Sequence, residues 1–146
     1  MCSEGTLQDF LARLAFVVAS GNDDAHLKNW SLQWGQDHRP WLSPCYDMVA
    51  SIAFSDFGWG RSREPGLALS LGKEKRFPHL DRGCLEKFAS RTGIPAAVEV
   101  FMDALERCRL SWPGAVAKAP RCMFQAITSH WARVPLLRYT GPLPSE

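Results

Sequence analysis

Gly21-Asn22-Asp23-Asp24-Ala25-His26-Leu27-Lys28-Asn29-Trp30-Ser31, followed by Leu42-Ser43-Pro44-Cys45-Tyr46-Asp47-Met48, sets acidic and amide side chains at fixed spacing between two kinds of regular structure. On its N-terminal side, Leu7, Phe10, Leu11, Leu14, Ala15 and Val18 recur at the interval of one helical face. Thr6 with Asp9 reads as a capping box that starts this helix, and Gly21 ends it. On its C-terminal side, Trp30 to Trp34 alternates apolar and polar residues as a strand does. Gly35 to Arg39 is turn material, and Trp41-Leu42 can pair back, which makes a β-hairpin ending at Pro44. The polar run is therefore a loop held between a packed helix and a hairpin, a rigid place from which to aim side chains.

The residue types in that loop suit phosphoryl transfer. Such a site needs a carboxylate near the attacking hydroxyl, plus an amide oxygen and a second carboxylate to hold magnesium against phosphates. Asp24 and Asn29 keep the five-residue interval of the protein-kinase pattern H-R-D-x-x-x-x-N, and Asp47 follows a strand pair, as the second magnesium ligand of kinases does. A hairpin returns its two ends to neighbouring positions, so Asn29 and Asp47 are expected to converge. Hard oxygen donors of this kind, completed by phosphates and water, suit magnesium. Each residue alone is weak, because a loop Asp or Asn is usually a turn former or cap. Asp23 and Asp24 are neighbours and should point apart, and the spacing selects Asp24. His26 by itself suggests a structural hydrogen bond, and Lys28 an exposed charge.

Composition narrows the class. The chain has 146 residues, one ordinary domain, too short for a complete two-lobed kinase. Apolar residues at 46% and charged residues at 22% are those of a globular protein. A formal charge of +2, from 17 basic and 15 acidic side chains spread along the chain, gives no footprint for direct nucleic-acid binding or an anionic membrane. The one dense basic cluster, Lys73-Glu74-Lys75-Arg76, reads as a solvated loop. The five cysteines form no C-x-x-C pair and read as reduced thiols of a cytoplasmic protein. Glu4 and Asp9 stand where a secretory signal would be basic. No apolar run approaches the ~20 residues that span a bilayer.

Further along, Phe54 to Pro78 reads as loop with a short strand or helix around Leu67 to Leu71. Asp81 is a predicted N-cap, with Cys84, Leu85, Phe88 and Ala89 on one helical face and Gly93 as the stop. Pro95 opens a third helix with Val98, Phe101, Met102, Leu105 and Cys108 inward, and Pro113-Gly114 is expected to break it. A last helix covers about Pro120 to Ala132 with Met123, Phe124, Ile127 and Trp131 inward. These apolar stripes read as core. The expected fold is mainly α (α+β), one domain over residues 1–139 with a flexible tail over 140–146.

The loop resembles the motif G-N-x-D-x-H-x-K-N-F/W-S of the HipA family of serine/threonine kinases, the toxin halves of bacterial toxin–antitoxin pairs. Leu42 to Met48 is similar to the family's L-x-P-x-Y-D followed by an aliphatic residue, and Leu67-Ala68-Leu69-Ser70-Leu71-Gly72 to its M-A-L-x-L/I-G. The three motifs stand in order within residues 14 to 72. The resemblance implies the C-terminal helical kinase-like lobe of such an enzyme, with a small β-hairpin carrying the catalytic loop. It implies Asp24 as catalytic base, Asn29 and Asp47 as magnesium ligands, and His26 and Lys28 as residues that shape the loop or meet phosphate. ATP is then the phosphoryl donor and a protein hydroxyl the acceptor, in the best-known cases on an aminoacyl-tRNA synthetase. A HipB-like DNA-binding antitoxin is the implied partner, and bacterial persistence the setting.

Kinases also use a phosphate-covering loop and a Lys held by a Glu from an N-terminal lobe, and the family has a hinge that grips adenine. No such region precedes the first helix of this sequence. The expectation is an incomplete catalytic part: a truncated gene, a fragment, or one half of a split kinase whose N-terminal half is a separate chain. The alternative is a non-catalytic kinase remnant that binds an antitoxin or another partner. A metal-dependent hydrolase using Asp24, His26 and Asp47 would be short of nitrogen ligands, because His38, His79 and His130 lack ligand spacing.

Overall fold

The computed structural model describes residues 2–36, 38–57, 64–118 and 120–138. The expected tail over 140–146, the domain limit at 139 and the middle of the 54–78 loop lie outside the described residues. Among the described residues, four α-helices and two small antiparallel hairpins, joined in part by 3₁₀ turns, make up the regular structure. They are α1 (Glu4–Ser20), β1 (Leu32–Trp34), β2 (Pro40–Leu42), β3 (Gly66–Leu71), β4 (Glu74–Arg76), α2 (Arg82–Thr92), α3 (Ala97–Val116) and α4 (Arg121–Arg133). The fold is mainly helical, as expected. Among the described residues no helix is long and apolar enough to cross a membrane.

α1 is the centre of the molecule. Leu11, Ala15 and Val18 are completely buried, and the helix packs most extensively on α3 through Phe101, Ala104 and Leu105. Its cap differs from the expected Thr6–Asp9 box. Ser3 is the N-cap, its hydroxyl accepting the Thr6 N–H at 3.2 Å, so that Thr6 lies inside the first turn. Asp9 instead pairs with Arg13, whose guanidinium also donates to the Ser43 carbonyl and ties α1 to the end of the hairpin. At the other end Gly21 stands in the left-handed region (φ 65°) and closes the helix as expected.

β1 and β2 pair in the predicted hairpin, Leu32 opposite Leu42 and Trp34 opposite Pro40. Of the short strand or helix expected around Leu67 to Leu71, the structure has the strand, β3. Its partner is a correction: β4 runs through the basic cluster read as a solvated loop. Glu74 accounts for this, because its carboxylate accepts the Lys75 and Arg76 N–H groups and the Arg76 guanidinium. Those bonds hold the Glu74 carboxyl far below the usual carboxylate range.

α2 begins at Asp81, which accepts the Cys84 N–H at 2.8 Å, and ends at left-handed Gly93, both as read from sequence. α3 begins two residues after Pro95, with Ala96 at φ 50°. It also continues through Pro113 to Val116 instead of breaking. The helix tolerates the missing N–H because Arg109, whose carbonyl would have received it, is exposed and open to water, while Trp112 rests on Trp131 of α4 at 5.3 Å between ring centroids. On α4, Ile127 is buried as expected, but Phe124 is 48% exposed. Cys2, Cys45, Cys84 and Cys108 carry free thiols.

A Cβ at Gly21 would lie 2.6 Å from Ile52 Cγ2 and 3.3 Å from His130 Cε1, on a backbone already left-handed. Gly21→Ala is therefore expected to destabilise the fold by about 1–3 kcal/mol, read as a lower midpoint in urea unfolding at unchanged slope.

Candidate functional site

The loop after α1 is fixed from four directions. Backbone comes first: the Asn22 N–H returns to the Val17 carbonyl at 3.1 Å, and the Gly21 carbonyl accepts the Ile52 N–H at 3.2 Å. The Ser51 hydroxyl accepts the Asp23 N–H at 2.8 Å and lies 2.6 Å from the Asp23 carboxylate. Asp23 is thus engaged inward, whereas the Asp24 side chain is 67% exposed. The two neighbouring carboxylates do point apart. A 3₁₀ turn over Leu27–Asn29 follows, closed by the Asn29 N–H on the His26 carbonyl at 2.9 Å and the Trp30 N–H on the Leu27 carbonyl at 3.2 Å. Trp30 anchors it, packing on Phe10 with ring centroids 5.0 Å apart and donating to the Ala25 carbonyl at 3.4 Å.

The hairpin brings Asn29 and Asp47 together. The Asn29 Nδ2 donates to Asp47 Oδ2 at 2.5 Å. Asn29 Oδ1 is buried and has no hydrogen-bond partner among the described residues. An amide oxygen in that state carries a desolvation cost that a cation or donor would relieve. Asp47 has φ 56°, a left-handed conformation that Asp tolerates better than most residues. Tyr46 fastens the two segments: its hydroxyl donates to the Lys28 carbonyl at 2.8 Å and stands 2.6 Å from Ser31 Oγ.

Asp24 sits in the same loop with His26 Nε2 3.9 Å from its Oδ1. His26 and Lys28 are exposed at the surface of the loop. Oxygen donors dominate this arrangement. Among the described residues no three His, Cys, Asp or Glu side chains gather as a metal site.

Two positions that bear on the site were given no role from sequence. Asn22 is 1% exposed; its Oδ1 accepts the Asp24 N–H at 3.0 Å and its Nδ2 faces the Asp47 carbonyl at 3.5 Å. Its signal was its place directly after the helix-ending glycine, where a short amide folds back on the second residue beyond it. His130 of α4 is 3% exposed, with Nε2 2.7 Å from the Val18 carbonyl and its ring edge-on to Phe77. No local signal marks it, because its partner lies 112 residues away. Burial pushes the His130 imidazolium below its ordinary range, against the opposing pull of the Val18 carbonyl.

A helical lobe that presents this loop and hairpin on one helix end is the structural class to which the comparisons also point. A family model of the HipA-like C-terminal domain matches residues 2–112, and the chain belongs to that family. The Sinorhizobium fredii protein named "Putative kinase Y4dM" is 28% identical over 140 residues, 93% of this chain and 33% of that protein. A second protein of that organism, "Putative kinase Y4mE", is 30% identical over 79 residues, 54% of this chain and 17% of that protein. Among solved structures, a chain in the complex of the Shewanella oneidensis toxin–antitoxin system, HipA and HipB with operator DNA, superposes with a TM-score of 0.68. It shares 22% identity, over 87% of this chain and 30% of that one. The chain thus spans about a third of the length of the first of these relatives and of the solved chain.

The buried neutral His130 makes a pH prediction. An unfolded chain binds a proton at His130 more readily than the folded one, so stability is fully present above the ordinary value of 6.5 and falls as pH drops below it. Urea unfolding at steps between pH 7.5 and 5 should show this decline, and His130→Gln should flatten it while lowering stability at pH 7.5.

Proposed function

We propose that this chain is the C-terminal catalytic portion of a HipA-like serine/threonine kinase, which transfers the γ-phosphoryl group of ATP to a protein hydroxyl with magnesium. The observation that carries the reading is the meeting of Asn29 with Asp47, with the buried Asn29 Oδ1 left without a partner. Asn29 and Asp47 would hold the ion in place of the hydrogen bond they now share. Bound there, magnesium would neutralise charge on the ATP phosphates. Asp24, projecting from the same rigid loop into solvent, is placed to accept the proton of the substrate hydroxyl as its oxygen bonds to phosphorus and ADP leaves. His26, next to Asp24, would keep the carboxylate's orientation, and Lys28 would meet phosphate. Tyr46 and Trp30 hold this set in register and exclude slack from the loop.

The names of the relatives support kinase chemistry, and the HipA–HipB–DNA neighbour supports a HipB-like antitoxin as partner. The nucleotide wall would come from a further polypeptide segment, because this chain spans only about a third of the relatives it matches. Leu27 (72% exposed), with Leu32 and Trp34 (62%) on one face of the hairpin, offers apolar surface that such a segment would cover. The protein substrate, in family terms an aminoacyl-tRNA synthetase, would be read by surfaces beyond this loop. The reading places the protein in the cytoplasm.

Calorimetric titration with ATP and magnesium should show no micromolar binding by the chain alone. Joined by the completing kinase half, the chain should phosphorylate protein Ser or Thr. Asp24→Asn should then lower turnover by roughly 10²–10⁴-fold without lowering the unfolding midpoint. Undiminished transfer by that variant would remove Asp24 from the chemistry.

A further inference from the structure

Among the described residues, Asn22 is the one buried amide that touches the backbone of both carboxylate-bearing residues of the proposed site. Its hydrogen-bond directions leave little freedom. The Asp24 N–H is a donor and must face Oδ1, so Nδ2 is turned toward the Asp47 carbonyl, which can only accept. At 1% exposure, neither atom can exchange its partner for water. The link to Asp47 is long at 3.5 Å, but in a buried setting an amide dipole aimed at a carbonyl still resists displacement. The Asp47 backbone needs such a hold, because it sits at φ 56°, where a non-glycine residue returns to ordinary conformations unless its surroundings prevent it.

We propose that Asn22 is a positioning residue that couples the two halves of the site: it fixes the Asp24 turn with its oxygen and holds Asp47 in its left-handed conformation with its nitrogen. The inference rests on the reading of Asp47 as a magnesium ligand. It goes beyond that reading by assigning the geometry of the ligand to a side chain that touches neither the ion nor the substrate.

The chemistry of the link separates the two duties. A serine at position 22 can still accept from the N–H two residues on, as serine does in turns, but it is too short to reach Asp47. Alanine does neither. The experiment records backbone NMR of the full chain, with hydrogen exchange at the Asp24 amide and paramagnetic broadening of the Asn29 and Asp47 amides by added Mn²⁺. Urea unfolding of each variant establishes that it is folded. Asn22→Ser should keep Asp24 protected and raise the Mn²⁺ concentration needed for half-broadening by about tenfold. Asn22→Ala should lose the Asp24 protection as well. Asp47→Asn is the control for the metal reading and should broaden least. If Asn22→Ser broadens at the wild-type Mn²⁺ concentration while Asp47→Asn does not, the coupling role is wrong and the metal site stands. If Asp47→Asn broadens at the wild-type Mn²⁺ concentration, the metal reading itself fails and takes the coupling with it. A uniform loss of exchange protection across the fold in Asn22→Ser would make Asn22 a general stabiliser and would also overturn the proposal.

Discussion

The C-terminal turn of α1 must end with its carbonyls paired and its chain reversed, and most of the site follows from how that is done. A helix leaves its last carbonyls without partners. Here the Val17 carbonyl is taken by the Asn22 N–H, and the Val18 carbonyl by the Gly21 N–H together with the His130 imidazole. The Gly21 carbonyl is taken by the Ile52 N–H. Each partner comes from a different part of the chain: the loop itself, α4, and the segment after Asp47. Satisfying one helix end thereby fixes where the loop leaves, where the Asp47 segment passes and where α4 docks. Left-handed Gly21 makes this possible, because any side chain there would collide with Ile52.

Rigidity then passes outward along the loop by short polar contacts. Ser51 occupies Asp23, so Asp24 is the carboxylate left facing solvent. Trp30 anchors the far end on Phe10 and the Ala25 carbonyl. Tyr46 clasps the Lys28 carbonyl, which sets the hairpin at the spacing where Asn29 meets Asp47. No contact in this series is large by itself, and a side-chain hydrogen bond is worth about 1 kcal/mol net. Their effect comes from being consecutive, because each removes a rotation that would otherwise loosen the next side chain.

The rest of the lobe is a platform for that turn. α3 supplies the apolar bed under α1, with Phe101 fully buried, and α4 crosses near enough to deliver His130. The β3–β4 hairpin leads into Phe77, which is buried and meets His130 edge-on, so the second sheet supports the same histidine from the other side. By contrast, the first hairpin leaves Trp34 and Trp41 exposed. A two-stranded ribbon is marginal without a covering layer, and α1 supports this one where Thr6 donates to the Pro40 carbonyl and Arg13 to the Ser43 carbonyl.

By itself the sequence determined what depends on neighbours in the chain. The helical stripes, the stops at Gly21 and Gly93, the cap at Asp81 and the first hairpin are all local, set by periodicity and by side chains bonding to backbone a few residues away. The interval from Asp24 to Asn29 was legible for the same reason, and so was the return of Asp47, since a hairpin's geometry is fixed by its turn. The tertiary structure decided everything that needs a distant partner. It chose Ser3 over Thr6 as the cap, carried α3 through Pro113 where exposed residues let water serve the lost bond, and paired the Glu74–Arg76 segment with β3. It also buried Asn22 between two carboxylate-bearing segments and set His130 on a carbonyl 112 residues away. No local preference encodes such contacts, because their free energy appears only once packing has excluded water from both partners.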